Sequence, residues 1–243
     1  RELVRSATRE ALLRDAAVAL ALGKLCGRRV VLMGSSTGGS LALWLAAQPW
    51  ARPDVAGVVL ISPGVKLALH GPQYALLKWP VYMLPAFLSR AIIHAVGGPV
   101  RAVEYISEEQ TGICTMCYPT ESVCNICKLY LTLEVAVDAR EIHAPVLVFA
   151  NPSDHIVSYE ATREFLRPTT HRMVDVCDSE EAHIITGRVH SPSTVPRVVA
   201  VSVDWLREVL ALDDAPDSGK GALGLRAVAA SVAWLVRGGR GDK

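Results

Sequence analysis

The stretch Val30-Val31-Leu32-Met33, followed by Gly34-Ser35-Ser36-Thr37-Gly38, constrains this chain more than any other. A short aliphatic and β-branched run enters a Gly-x-Ser-x-Gly turn, and Gly39-Ser40-Leu41-Ala42-Leu43 leaves it in an apolar helical pattern. Strand, tight turn and helix in that order hold the central residue in a strained conformation, with its side chain raised above the end of a sheet. Its neighbours in the turn must be small, and Gly34 and Gly38 meet that need. Ser36 then stands at the apex. Centring the turn on Ser35 would put Met33 where a small residue is required, so that register is excluded. The alternative is a glycine-rich loop that cradles phosphate at a helix N-terminus. Such a loop wants a lysine directly after the glycines or a second glycine-rich spacing, and neither is present.

A second strand end carries a carboxylate. Pro145-Val146-Leu147-Val148-Phe149-Ala150 is too apolar to be half exposed and reads as a buried parallel strand. It runs into Asn151-Pro152-Ser153-Asp154-His155-Ile156-Val157. Asp154 thus lies just past the carboxyl end of a strand, where open parallel sheets place their chemistry. The plainer reading is a turn aspartate, since Pro-Ser-Asp is good turn chemistry. A further strand over 171–177 precedes the polar loop Asp178-Ser179-Glu180-Glu181-Ala182, after which His183 opens His-Ile-Ile-Thr-Gly. His70 and His94 fall in the middle of the chain, His143 precedes a strand and His155 adjoins the acid. His190, in the same loop as His183, is the runner-up.

These pieces together resemble the α/β-hydrolase superfamily, in particular its serine esterase, lysophospholipase and monoacylglycerol-lipase-like branch. The likeness rests on Gly-Ser-Ser-Thr-Gly-Gly over 34–39, the Pro-Val-Leu-Val strand ending in 151–157, Asp178-Ser179 leading to His183-Ile184, and the Ser191-Pro192 turn before a closing helix. It covers about residues 2–211. Proteins of this kind deliver serine, acid and histidine in that chain order. The resemblance implies Ser36 as nucleophile, His183 as general base and acid, and Asp154 as the carboxylate that orients it. The Thr37 backbone N–H, next after the nucleophile, would serve the oxyanion. It further implies a carboxylic ester as substrate, with a lipophilic acyl group, and no cofactor. A peptidase or thioesterase would share the same three residues.

The chain departs from that pattern at its start. Arg1-Glu2-Leu3-Val4-Arg5 reads as already inside an amphipathic helix that runs to about Leu25, with Leu12, Leu13, Ala16, Ala17 and Leu20 on its apolar face. No strand pair and no His-Gly loop precede it, so the second oxyanion donor has no candidate. The expectation is the later part of a hydrolase, with a non-catalytic remnant or binding module as the alternative. The elbow strand would become a sheet edge with bare N–H and C=O groups, which invites self-association.

Composition narrows the class. With 243 residues, 51% hydrophobic content and a net charge of +1, the chain gives no electrostatic reason to bind nucleic acid or an anionic membrane. No charged-then-apolar leader is visible, and the expected location is the cytoplasm. The fold class expected is α/β: a mostly parallel sheet of about four strands (29–33, 55–61, 145–150 and 171–177) flanked by helices. Core would be supplied by 1–63 and 120–212, with a helical cap inserted over 64–119. The cap region is rich in Leu, Tyr, Trp, Met, Phe and Ile, but Lys78, Pro80, Pro85, Arg90 and His94 interrupt it well short of the ~20 apolar residues of a membrane span. It reads either as ordinary packing of cap helices or as a surface for an acyl chain.

Cys114-x-x-Cys117 and Cys124-x-x-Cys127 form a double pair, with six residues between. Four thiolates can close a tetrahedral zinc site. Tyr118-Pro119-Thr120-Glu121, however, reads as a helix start with Thr120 as N-cap. That helix, running to about residue 137, would put Cys124 and Cys127 on one face with Leu131 as small buried hydrophobes. Buried thiols are therefore expected ahead of zinc, and zinc ahead of a disulfide. A closing helix over 194–212 should bury Val198, Val201, Trp205, Leu206 and Val209. Residues 213–221 have linker composition, and 223–236 form a short apolar segment with Trp234, too short to cross a bilayer.

Overall fold

Three short, almost wholly apolar runs and a fourth that contributes Met173 and Val174 pair side by side, because each has apolar side chains on both faces. The computed structural model describes residues 8–68, 84–98, 100–102, 109 and 117–210. Within them the helices are α1 (Arg9–Cys26), α2 (Thr37–Ala46), α3 (Ala86–Gly97), α4 (Thr120–Ala136), α5 (Tyr159–Leu166) and α6 (Val195–Leu210). The strands are β1 (Val30–Ser35), β2 (Val55–Ile61), β3 (Val100–Ala102), β4 (Cys117–Pro119), β5 (Val146–Ala150) and β6 (His171–Asp175). One sheet is parallel throughout, in the order β1-β2-β5-β6, and β3 and β4 make a separate antiparallel pair. The α/β architecture with about four parallel strands is thus the one read from the sequence.

Alternation along each strand feeds two cores. Val58, Leu60, Val146, Val148 and Ala150 face a layer containing Leu20 of α1, Leu43, Leu45 and Ala46 of α2, and Leu166 of α5. Val59, Ile61, Leu147 and Phe149 face the opposite layer, with Val198, Trp205 and Leu206 of α6. Burial on both faces is why these strands read as continuous hydrophobic runs rather than alternating ones. Val146, Leu147, Val148 and Phe149 are wholly inaccessible, each worth roughly 1.5–3 kcal/mol relative to exposure. Gly57 gives α6 its close approach, since a methyl group there would meet the Trp205 ring at 3.0 Å.

All four parallel strands point the same way, so their carboxyl ends form one rim. β1 is the outer strand of the described sheet, as expected of the elbow strand. The chain after β2 stays on the body at first: Val65 is buried in the core, and Leu67 bridges Val157.

Several expectations are corrected. Helix α1 has Thr8 as its cap, the Thr8 hydroxyl accepting from the Ala11 N–H at 3.2 Å, while the helical start expected over 1–5 lies outside the described residues. Thr120 is the first residue of α4 rather than its cap. Pro119 holds the cap position, and the Thr120 hydroxyl donates to the Gly98 carbonyl at 2.6 Å. The β3–β4 pair was not anticipated, since three-residue strands are too short to show a period. Most of the segment expected to form the cap, and all of 213–243, lie outside the described residues. No described helix is long and apolar enough to cross a membrane.

Candidate active site

The turn between β1 and α2 bends as the motif requires. Ser36 has φ 50° and ψ −118°, a left-handed backbone setting that is unfavourable for a residue with a β-carbon. Hydrogen bonds hold it there: the Ser36 N–H donates to the Ile61 carbonyl at 2.9 Å, and the Ser36 carbonyl accepts from Gly39 and Gly64. Gly34 is needed because a methyl group on it would lie 2.2 Å from the Gly38 carbonyl oxygen. The second tight glycine is Gly39, where a methyl would meet Pro63 at 2.8 Å, and not Gly38, which faces open space. The motif reading assigned that role to Gly38. What the bend uses from Gly38 is its backbone carbonyl, lying under Gly34.

Asp154 follows β5 in a loop organised by Asn151. The Asn151 side-chain oxygen accepts from the Ser153 N–H at 2.8 Å and its carbonyl from the Asp154 N–H at 3.0 Å, while its amide donates to Ser179 at 3.3 Å. The Asp154 carboxylate is almost fully buried, with 3% of the side chain exposed, and both oxygens are used. One accepts from the Ile156 and Val157 N–H groups at 2.8 and 3.0 Å. The other takes the Nδ1–H of His183 at 2.8 Å. A carboxylate can only accept, so it fixes the proton on Nδ1 and leaves Nε2 as acceptor. The Ser36 hydroxyl lies 3.0 Å from that Nε2. The structure therefore brings Ser36, His183 and Asp154 into one hydrogen-bonded row.

The loop carrying His183 is pinned from behind. Ser191 is wholly buried, donates to the Ile184 carbonyl at 2.6 Å and accepts from the Glu181 N–H at 3.2 Å. The Thr194 hydroxyl donates to the Ile185 carbonyl at 2.6 Å. His190, the runner-up, is on Glu181 at 2.7 Å, and His155 is exposed.

Comparison with solved structures settles the architecture. A structure of the metagenome-derived lipolytic enzymes LipS and LipT superposes with a TM-score of 0.59 at 16% identity, covering 84% of this chain and 76% of that one. The Saccharomyces cerevisiae monoglyceride lipase gives 0.53 at 13% identity, over 82% and 68%. This chain has the α/β-hydrolase fold. A thermophilic esterase from Thermogutta terrifontis aligns at 0.50 and 20% identity, over 83% and 73%. No protein-family model matches the sequence, and a search of curated proteins finds no match.

On this α/β-hydrolase scaffold the Thr37 backbone N–H opens α2, and as the first residue of the helix it has no acceptor within it. It is one donor beside Ser36. Sequence reading missed a second group there, Tyr130 on α4, whose hydroxyl lies 3.3 Å from the Thr37 hydroxyl. Burial holds the Tyr130 phenol above its ordinary value, partly opposed by hydrogen bonding from Thr37 and Ser36. Its signal was present only indirectly, in Gly64: a methyl group there would collide with the phenol end of the Tyr130 ring at 2.2–2.4 Å. Asn151 and Ser191 were also missed as supports, being read as turn residues.

The cysteines fall into two kinds. Cys124 is buried beside Leu131 with Cys127 packed on them, while Cys117 is exposed. Burial, with Cys124 close by, pushes the Cys127 thiol up to about 12. Cys114 lies outside the described residues. Among the described residues no three His, Cys, Asp or Glu side chains converge as a metal site would require.

Proposed function

We propose that this protein is a serine hydrolase that cleaves a carboxylic ester through an acyl-enzyme intermediate, with Ser36, His183 and Asp154 as its triad. The observation that carries the reading is the row Ser36–His183–Asp154 at 3.0 and 2.8 Å, with Ser36 held at φ 50°. An alcohol is a poor nucleophile at neutral pH, so His183 Nε2 takes the Ser36 proton as Oγ bonds to the acyl carbon. The carbonyl electron pair moves to oxygen and is met by the Thr37 N–H. His183 then passes the proton to the departing alcohol, and water repeats the sequence on the acyl-serine. Asp154 stays ionised and stabilises the imidazolium. Its two backbone donors keep it in place throughout.

A lipophilic acyl group fits the surroundings. Ile156 and Ile184 follow the acid and the histidine in sequence and are both exposed despite their size. Phe87 and Leu88 on α3, within the segment 64–119 that we assign as a cap, are likewise exposed. The solved structures of like fold include a monoglyceride lipase and lipolytic enzymes.

A fluorophosphonate probe tests the reading directly. Labelling of the folded protein, lost in Ser36→Ala, is the expected result. Folded protein that stays unlabelled refutes it. Among p-nitrophenyl esters, octanoate should be hydrolysed faster than acetate, and a strict acetate preference would end the lipophilic assignment.

A further inference from the structure

We infer that the Tyr130 phenol is the second donor to the oxyanion, working opposite the Thr37 backbone N–H. This rests on the ester-hydrolase reading above and adds to it a residue from a different part of the chain, the helix α4. Tyr130 is 4% exposed, yet its hydroxyl reaches the residue immediately after Ser36. A buried phenol needs a partner. Its hydroxyl is hydrogen-bonded to the side chains of Ser36 and of Thr37, the latter at 3.3 Å, long for an O–H···O bond. A phenol so placed can exchange a weak neutral acceptor for a charged oxygen, to which hydrogen bonds are shorter and roughly twice as strong.

The ring is fixed in place by the same loop that fixes the nucleophile. Gly64 leaves the space that the phenol end fills, and the Gly64 N–H donates to the Ser36 carbonyl at 3.0 Å. The Ser40 hydroxyl holds the Gly64 carbonyl at 2.6 Å. Phenol, loop and elbow are therefore tied to one another, which is what a preorganised donor requires. During attack the Ser36 proton goes to His183 Nε2 and the carbonyl electron pair to oxygen. Tyr130 keeps its own proton and donates only the hydrogen bond. On collapse the carbonyl re-forms, the alcohol leaves with the His183 proton, and the phenol returns to Thr37. With its burial the phenol stays protonated across the neutral range, so the donor is present whenever His183 can act as base.

Tyr130→Phe keeps the ring in the Gly64 notch and deletes one oxygen. Wild type and variant are compared for p-nitrophenyl butyrate turnover, affinity for a butyl boronic acid, which forms a tetrahedral adduct on serine, and melting temperature. The expected result is a kcat reduced by about 10²–10³-fold, a KM within about threefold, and boronate affinity falling in parallel with kcat/KM. A kcat within about threefold of wild type overturns the inference and leaves the hydrolase reading standing. So does a variant whose melting temperature and KM move while boronate affinity holds, because that is the signature of a structural support. Wild-type protein inert to ester and fluorophosphonate alike removes the hydrolase reading and this inference together.

Discussion

Replacing Gly34 with alanine tests whether backbone packing sets the elbow. The added methyl would stand 2.2 Å from the Gly38 carbonyl oxygen, 2.4 Å from its carbon and 2.6 Å from the Gly39 nitrogen. All three are backbone atoms in the first turn of α2, so no side-chain rotation can relieve the contact. The turn has to open by about 1 Å, and a displacement of that size at a reacting atom costs about 100-fold in rate. Overpacking generally costs ~1–3 kcal/mol, and rigid surroundings put this case at the upper end. Gly34→Ala should therefore lose about 3 kcal/mol in a urea titration and label with fluorophosphonate at least ~100-fold more slowly. Gly38→Ala is the counterpart. Nothing lies within 4 Å of a methyl group there, and its φ is not left-handed. A glycine in such a helical position gives up about 0.5–1 kcal/mol relative to alanine, so this variant should gain stability. Opposite signs at two glycines of one motif are the test. A Gly34→Ala protein within about 0.5 kcal/mol of wild type, or a Gly38→Ala protein equally damaged, would refute the argument.

Three further outcomes are expected. Asp154→Asn should cut kcat about 10⁴-fold with the fold intact, because an amide facing Nδ1 selects the wrong imidazole tautomer; a loss under tenfold would contradict the assigned role. Iodoacetamide at pH 8, read by peptide mass mapping, should modify the exposed Cys26, Cys117 and Cys177 and spare Cys124 and Cys127, whose thiol at 127 is pushed up to about 12. Modification of Cys127 at the rate of Cys26 in folded protein would count against that burial. Tyr159 is likewise pushed up to about 12, by burial and then by the bond its hydroxyl donates to Asp175 at 2.8 Å. The folded value lies above the unfolded value of 10, so this contribution to stability is complete below pH 10 and fades as pH rises towards 12. Tyr159→Phe should flatten that part of the stability profile, and an unchanged alkaline slope would dismiss the link.

β2 and β5 were legible because burial on both faces writes itself as an uninterrupted apolar run, and the elbow because its spacing is set by steric need. Asp154 and His183 followed from lying just past strand ends. Tyr130 was not legible: in an apolar helix a tyrosine looks like any core residue, and only the distant Gly64 reveals where its oxygen goes. Gly38 was misjudged for the same reason, since a pattern names positions without saying which way each β-carbon would point. Thr120 looked like a cap by residue type, but its hydroxyl was claimed by Gly98, 22 residues away in the chain.

Serine and histidine are 147 residues apart in the chain, and histidine and aspartate 29. The three hang from the tips of β1, β5 and β6, laced together by Asn151 and Ser179. If the proposed triad is correct, fraying at any single tip silences turnover while leaving helix and sheet content nearly untouched. On gentle heating, activity should fade ahead of the circular dichroism signal or together with it, and never after it. In the proposed hydrolase, ester turnover would then serve as the finer gauge of how many molecules remain native.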